Sequence, residues 1–100
     1  MVRAARPELP PDELLRLPKS VGDGTRLRAL RLIAEQPRTT QELAPLVGIS
    51  EAGLSKHLRA LAAAGAIEAR REGYYVLYSF VPERLEALSG ALLSFLGRRA

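Results

Sequence analysis

From Asp23 onward, Leu27, Leu30 and Ile33, with Ala34, recur at the three-to-four-residue spacing that gathers side chains on one face of a helix, while Arg26, Arg28 and Arg31 fall on the remaining faces. Pro37 ends this helix. Thr39 and Glu42 stand in capping-box relation, which predicts a second, short helix with Leu43, Leu46 and Val47 on its apolar face. Pro45 lies inside it, close enough to the first turn to be tolerated. Gly48 supplies a turn, and Ser50 caps a third helix whose Leu54, Leu58 and Leu61 lie at i, i+4 and i+7. Gly65 terminates it. The period then switches to two: Ile67 and Ala69, then Val76, Tyr78 and Phe80, occupy alternate positions interrupted by Arg71, Glu72 and Gly73, the pattern of a hairpin with a basic tip. Pro82 opens a last helix with Leu85, Leu88, Leu92, Phe95 and Leu96 along one stripe and Leu93 beside it.

The first twenty residues are different. Pro7, Pro10, Pro11 and Pro18 forbid one continuous helix, leaving a short one over Asp12 to Leu17, capped by Asp12 and offering Leu14, Leu15 and Leu17. The predicted organisation is one domain: an arm over 1–20, a helical and hairpin body over 21–81, and a closing helix over 82–100 packed on that body.

Composition narrows what such a chain can do. Its 100 residues include 47% hydrophobic ones, enough for a core, and no apolar run reaches the ~18 residues of a membrane span, so a cytoplasmic protein is expected. There is no cysteine, one histidine, and Asp only at positions 12 and 23, which leaves almost no material for an acid, base or nucleophile constellation. No enzyme and no cofactor are expected. The net charge of +4 suits a polyanionic partner without demanding one.

Helix, short helix, glycine turn, capped helix, glycine, hairpin is the order of a winged helix-turn-helix, a mainly α fold with a small β wing, in which the second helix of the pair enters the DNA major groove. Taking about 100° per residue from Leu54, positions Ala52, Lys56, Arg59 and Ala63 fall opposite the leucine stripe, with Ser55 on one rim and His57 on the other. Ala52 permits close approach, Ser55 can bond phosphate or base, and Lys56 and Arg59 can neutralise phosphate or read guanine edges. The Ser50 end of the helix favours phosphate through the dipole. Glu51 repels phosphate yet can accept from a cytosine amino group.

Three segments carry a family resemblance: Gly-Asp-Gly-Thr-Arg-Leu-Arg-Ala-Leu at 22–30, Ser-Glu-Ala-Gly-Leu-Ser-Lys-His-Leu at 50–58, and Arg-Arg-Glu-Gly-Tyr-Tyr-Val-Leu-Tyr at 70–78. Together, and in this order over about residues 20–96, they resemble the ArsR/SmtB type of prokaryotic transcriptional regulator. The resemblance implies a homodimeric repressor whose recognition helix, Ser50 to Ala64, and wing, Ala66 to Phe80, bind an inverted-repeat operator in double-stranded DNA. It also implies dimerisation through the first and last helices, here Leu14 and Leu15 with Leu88, Leu92, Phe95 and Leu96. Arg26 falls in the Thr-Arg-Leu signature, where a structural or backbone-positioning role is implied. The metal sensors of this type carry Cys on the helix before the turn or Asp and His on the last helix. The corresponding stretches, Thr39 to Val47 and Pro82 to Leu96, contain none of these, so thiolate metal sensing is not expected and the effector is undetermined.

The expected DNA-binding set is therefore Thr39, Thr40, Ser50, Glu51, Ala52, Ser55, Lys56, His57, Arg59, Arg70, Arg71 and Tyr74. For His57, a satisfied half-buried side chain and a phosphate contact stand as equal readings. Arg70 and Arg71 form a basic wing suited to the adjacent groove or backbone, against the plainer reading of a solvated tip. Tyr78 belongs to the sheet's packing, and Tyr74 or Tyr75 can donate to phosphate. The competing function is a helical protein-interaction module that does not touch DNA.

Overall fold

The computed structural model describes Lys19 and residues 21–97. Its elements run α1 (Gly24–Glu35), β1 (Arg38–Thr39), α2 (Thr40–Val47), α3 (Glu51–Ala63), β2 (Ile67–Glu72), β3 (Tyr75–Phe80) and α4 (Pro82–Phe95). The arm helix expected over Asp12 to Leu17, and with it Leu14 and Leu15, lies outside the described residues.

Local chemistry sets the boundaries. The Asp23 carboxylate accepts from the Arg26 amide at 3.0 Å and opens α1. At α2 both halves of the capping box form: Glu42 N–H donates to Thr39 Oγ1 at 3.1 Å, and Thr39 N–H to Glu42 Oε1 at 2.9 Å. Gly48, at φ +87°, closes α2 with its amide donating to the Ala44 carbonyl, and two residues later Ser50 Oγ accepts from the Gly53 amide to start α3. The turn between the two helices is thus only Gly48 to Ser50, short enough to hold them at a fixed angle. Pro45 stands sixth in α2, past the first turn, so it removes a donor that the Gln41 carbonyl would have accepted; the helix ends two residues later.

One core unites these elements: Ala29, Leu30 and Ile33 of α1, Leu43, Ala44 and Val47 of α2, and Leu54, Leu58 and Leu61 of α3, closed by Ala64, Ala66 and Ile67. Two expectations are corrected. Leu27 is 55% exposed and Ala34 is also exposed, while Ala29 is fully buried. The inward face of α1 is turned by about 65° from the predicted stripe, away from Leu27. Arg26, expected on an outer face, is half-buried beside α3, because at about 100° per residue it projects between Leu30 and Ile33 on the covered side. On α2, Leu46 is exposed and Ala44 joins Leu43 and Val47 on the buried face.

The wing is larger than a hairpin. Strand order is β1-β3-β2, all antiparallel, with Arg38 opposite Tyr78 and Thr39 opposite Leu77. Across the hairpin Ile67 faces Phe80, Ala69 faces Tyr78 and Arg71 faces Val76, so the alternate positions read from the sequence share one face. Burial falls off along it: Ile67 is buried, whereas Ala69 and Arg71 are exposed where the hairpin leaves the body. In α4, Leu85 and Leu88 pack against the core, but no residue of the helix is buried. Leu92, Phe95 and Leu96 are 42%, 46% and 63% exposed.

Candidate nucleic-acid interface

The α3 leucines, all fully buried, turn the opposite face of that helix outward. Ala52, Lys56, Arg59 and Ala63 are all exposed there, as are Ser50 and Glu51 at its first turn. Two small side chains and two cations on one exposed face allow the helix backbone to approach a polyanion closely while supplying its counter-charge. Ser55, half-buried on the rim, donates its hydroxyl proton to the Glu51 carbonyl at 3.0 Å, so toward a ligand it offers lone pairs rather than a donor unless that bond breaks.

His57, on the other rim, accepts from Arg26 Nε at Nδ1 over 2.9 Å. The half-buried, satisfied reading of this histidine therefore describes its Nδ1 side. Thr39 is buried and its hydroxyl is engaged in the α2 cap, so its part is to place α2 rather than to present a surface; Thr40 is half-buried.

On the wing, Arg70 Nε lies 2.7 Å from Glu72 Oε2, so one of the two expected cations already faces a carboxylate. Arg71 is exposed and Tyr74, at the turn, is completely so. Gly73, at φ +63°, makes this tight turn. The wing base is held by an arginine that the sequence reading missed: Arg38 Nε donates to the Leu32 carbonyl at 2.8 Å and its Nη2 pairs with Glu35 Oε1 at 3.0 Å. The end of α1 is thereby tied to the strand that pairs with β3. Only the position of Arg38 next to Pro37 could have signalled it, since its partners are set by the turn.

Asp23, at the start of α1, has its carboxyl held below the ordinary value of 3.8, first by the Arg26 amide that donates to it, with the Thr25 amide and the nearby Arg26 charge adding to the effect. Among the described residues, no three His, Cys, Asp or Glu side chains gather as a metal site, and no helix is long and apolar enough to cross a membrane.

Comparison with known proteins agrees with this geometry. Residues 23–69 match the family described as bacterial regulatory protein, arsR family. A probable mercury resistance operon repressor of Streptomyces lividans is 36% identical over 78 residues, covering 78% of this chain and 62% of that protein. The chain spans from 34% to 66% of the length of the curated relatives it matches. Among solved structures, a possible transcriptional regulator for arsenical resistance superposes with a TM-score of 0.70 at 30% identity, covering 80% of this chain and 82% of the other. The homodimeric winged helix-turn-helix DNA-binding domain of a possible ArsR-family regulator from Mycobacterium bovis superposes with a TM-score of 0.70 at 29% identity, over 86% and 79% of the two chains. With its helix-turn-helix, its wing and these matches, the chain belongs to the ArsR family of bacterial transcriptional regulators.

Proposed function

We propose that the chain acts as a homodimeric repressor that binds an inverted-repeat operator in double-stranded DNA, each α3 entering a major groove. The observation that carries this reading is the exposed face of α3, where Ala52, Lys56, Arg59 and Ala63 lie together opposite a fully buried leucine stripe. Such a face has no packing role in the chain, and its mixture of small and basic residues suits a groove lined by phosphate. Arg71 and Tyr74 extend it along the wing, with Ser50 at the helix start and Thr40 in support. Two such helices, related by a twofold axis, would address half-sites about 34 Å apart.

The exposed Leu92, Phe95 and Leu96 stripe supports self-association, since a contiguous apolar surface beyond what the core uses marks an interface. The Mycobacterium bovis neighbour is described as homodimeric and the Streptomyces relative as a repressor, which favours the same two properties here. The absence of cysteine from these 100 residues supports regulation without thiolate metal binding. We place the protein in the cytoplasm, with its operator, and assign it no catalytic role.

Gel-shift titration against duplexes enriched from a random-sequence pool tests the reading. Binding whose logarithmic salt dependence has a slope of about −0.9 per neutralised phosphate is expected. Failure to enrich any duplex would favour the protein-interaction module instead.

A further inference from the structure

We infer that Arg26 is a positioning residue of the proposed DNA interface: by donating from Nε to His57 Nδ1 it fixes the imidazole in the form protonated at Nε2 and makes that nitrogen a donor for a DNA phosphate. This inference rests on the DNA-binding reading above and assigns a mechanism to one edge of that surface.

The bond spans 31 residues of sequence and joins α1 to the recognition helix at 2.9 Å. A guanidinium has donors only and does not lose its proton in proteins, so Nδ1 must supply the lone pair. A neutral imidazole holding a lone pair at Nδ1 carries its proton on Nε2. That nitrogen points away from Arg26, and the ring is only half-buried, on the rim one residue from the exposed Lys56. Phosphate oxygens accept and never donate. The opposite tautomer would turn a lone pair toward phosphate and repel it, so the partner on the inner side of the ring decides what the outer side can bind. Arg26 is well placed for this task because its own amide is bonded to Asp23 Oδ1 at 3.0 Å, which anchors the root of its side chain in the first turn of α1. A ring already fixed in one form also loses less freedom on binding.

The single histidine of the chain makes the test direct, because its imidazole signals belong to one residue. Heteronuclear NMR of the isotope-labelled full chain should show nitrogen–nitrogen coupling across the bond from Arg26 Nε to His57 Nδ1, with the neutral ring protonated at Nε2. A neutral ring protonated at Nδ1 overturns the inference, and this readout needs no variant to fold. For binding, the probe is a labelled duplex enriched from a random-sequence pool by the unmodified chain. Arg26→Leu and His57→Phe should each weaken binding about three- to tenfold, the range expected for one hydrogen bond. The double variant should lose no more than His57→Phe alone, because both changes remove the same contact. Arg26→Gln, whose amide N–H stands where Nε stood, should keep the coupling to Nδ1 and most of the affinity. Additive losses in the double variant, with the duplex still bound, overturn the inference alone. If the unmodified chain enriches no duplex, the DNA-binding reading itself falls and takes this inference with it.

Discussion

The guanidinium of Arg84 lies against Gly65, with Nη2 2.7 Å from the point a β-carbon there would occupy. Gly65 itself is at φ +84°. It follows the cap of α3 and forms a Schellman turn: its amide donates to the Ala62 carbonyl at 3.0 Å, and the Ala66 amide to the Leu61 carbonyl at 3.0 Å. A cation from the start of α4 thus sits at the negative end of α3. Gly65→Ala is expected to destabilise the fold by about 1–2 kcal/mol, the cost of a left-handed backbone for a residue with a β-carbon. Since the Arg84 side chain is exposed and can swing aside, adding Arg84→Ala should restore little of that loss in urea denaturation. Full recovery in the double variant would assign the cost to collision instead.

Lys56 is exposed on the outer face of α3 and supports no packing. Lys56→Ala should leave the thermal midpoint unchanged, weaken duplex binding, and reduce the salt slope by about 0.9 if it neutralises one phosphate. An unaltered gel-shift titration would remove Lys56 from the interface.

Glu72 holds Arg70 on the wing at 2.7 Å, with the Arg70 side chain 71% and that of Glu72 40% exposed. Such exposed pairs contribute ~0–1 kcal/mol, so Glu72→Gln should barely change stability. Freed of its carboxylate, Arg70 should strengthen duplex binding up to about fivefold, an effect that fades at high salt. Weaker binding would mean that the pair itself shapes the wing for its target.

Asp23 gives a pH dependence whose sign follows from its cap. Its carboxyl titrates below 3.8 in the folded chain because the Arg26 amide donates to the charged form. The lowered value stabilises the fold above the unfolded-state pKa, and the contribution is lost as pH falls through the folded one. Asp23→Asn keeps an acceptor without the charge. Its stability deficit relative to the unmodified chain should therefore be greatest near neutrality and shrink below about pH 4 in a chemical denaturation series.

Phe95, 46% exposed beside Leu92 and Leu96, is expected to lie in the dimer contact. Phe95→Arg should shift sedimentation toward the monomer while leaving helix content intact, because the residue is not part of the core. A variant that still sediments as a dimer would place the interface elsewhere.

How much of this was legible beforehand differs element by element. The helix starts at Asp23, Thr39 and Ser50 were readable because a cap is made within three residues of chain. The face of α3 was readable because three leucines at regular spacing admit one orientation. The α1 face was not: Leu27 and Ala29 lie on opposite sides of Leu30, and only the placement of α2, α3 and the sheet decides which side is covered. β1 escaped notice because a two-residue strand carries no periodicity and exists through its pairing with Tyr78 and Leu77.

The sequence by itself determined the order of the helices and the hairpin, the caps at Thr39 and Ser50, the alternation along the hairpin, and the small and basic outer face of α3, all of which depend on neighbours a few residues away. Only the tertiary structure decided that Arg26 faces inward to His57, that Arg38 ties α1 to the wing, that Glu72 occupies Arg70, and that α4 leaves its distal apolar stripe uncovered. The reason is physical: local spacing specifies which side chains share a face, but which face becomes interior, and which charged groups meet there, depends on how the elements pack against one another.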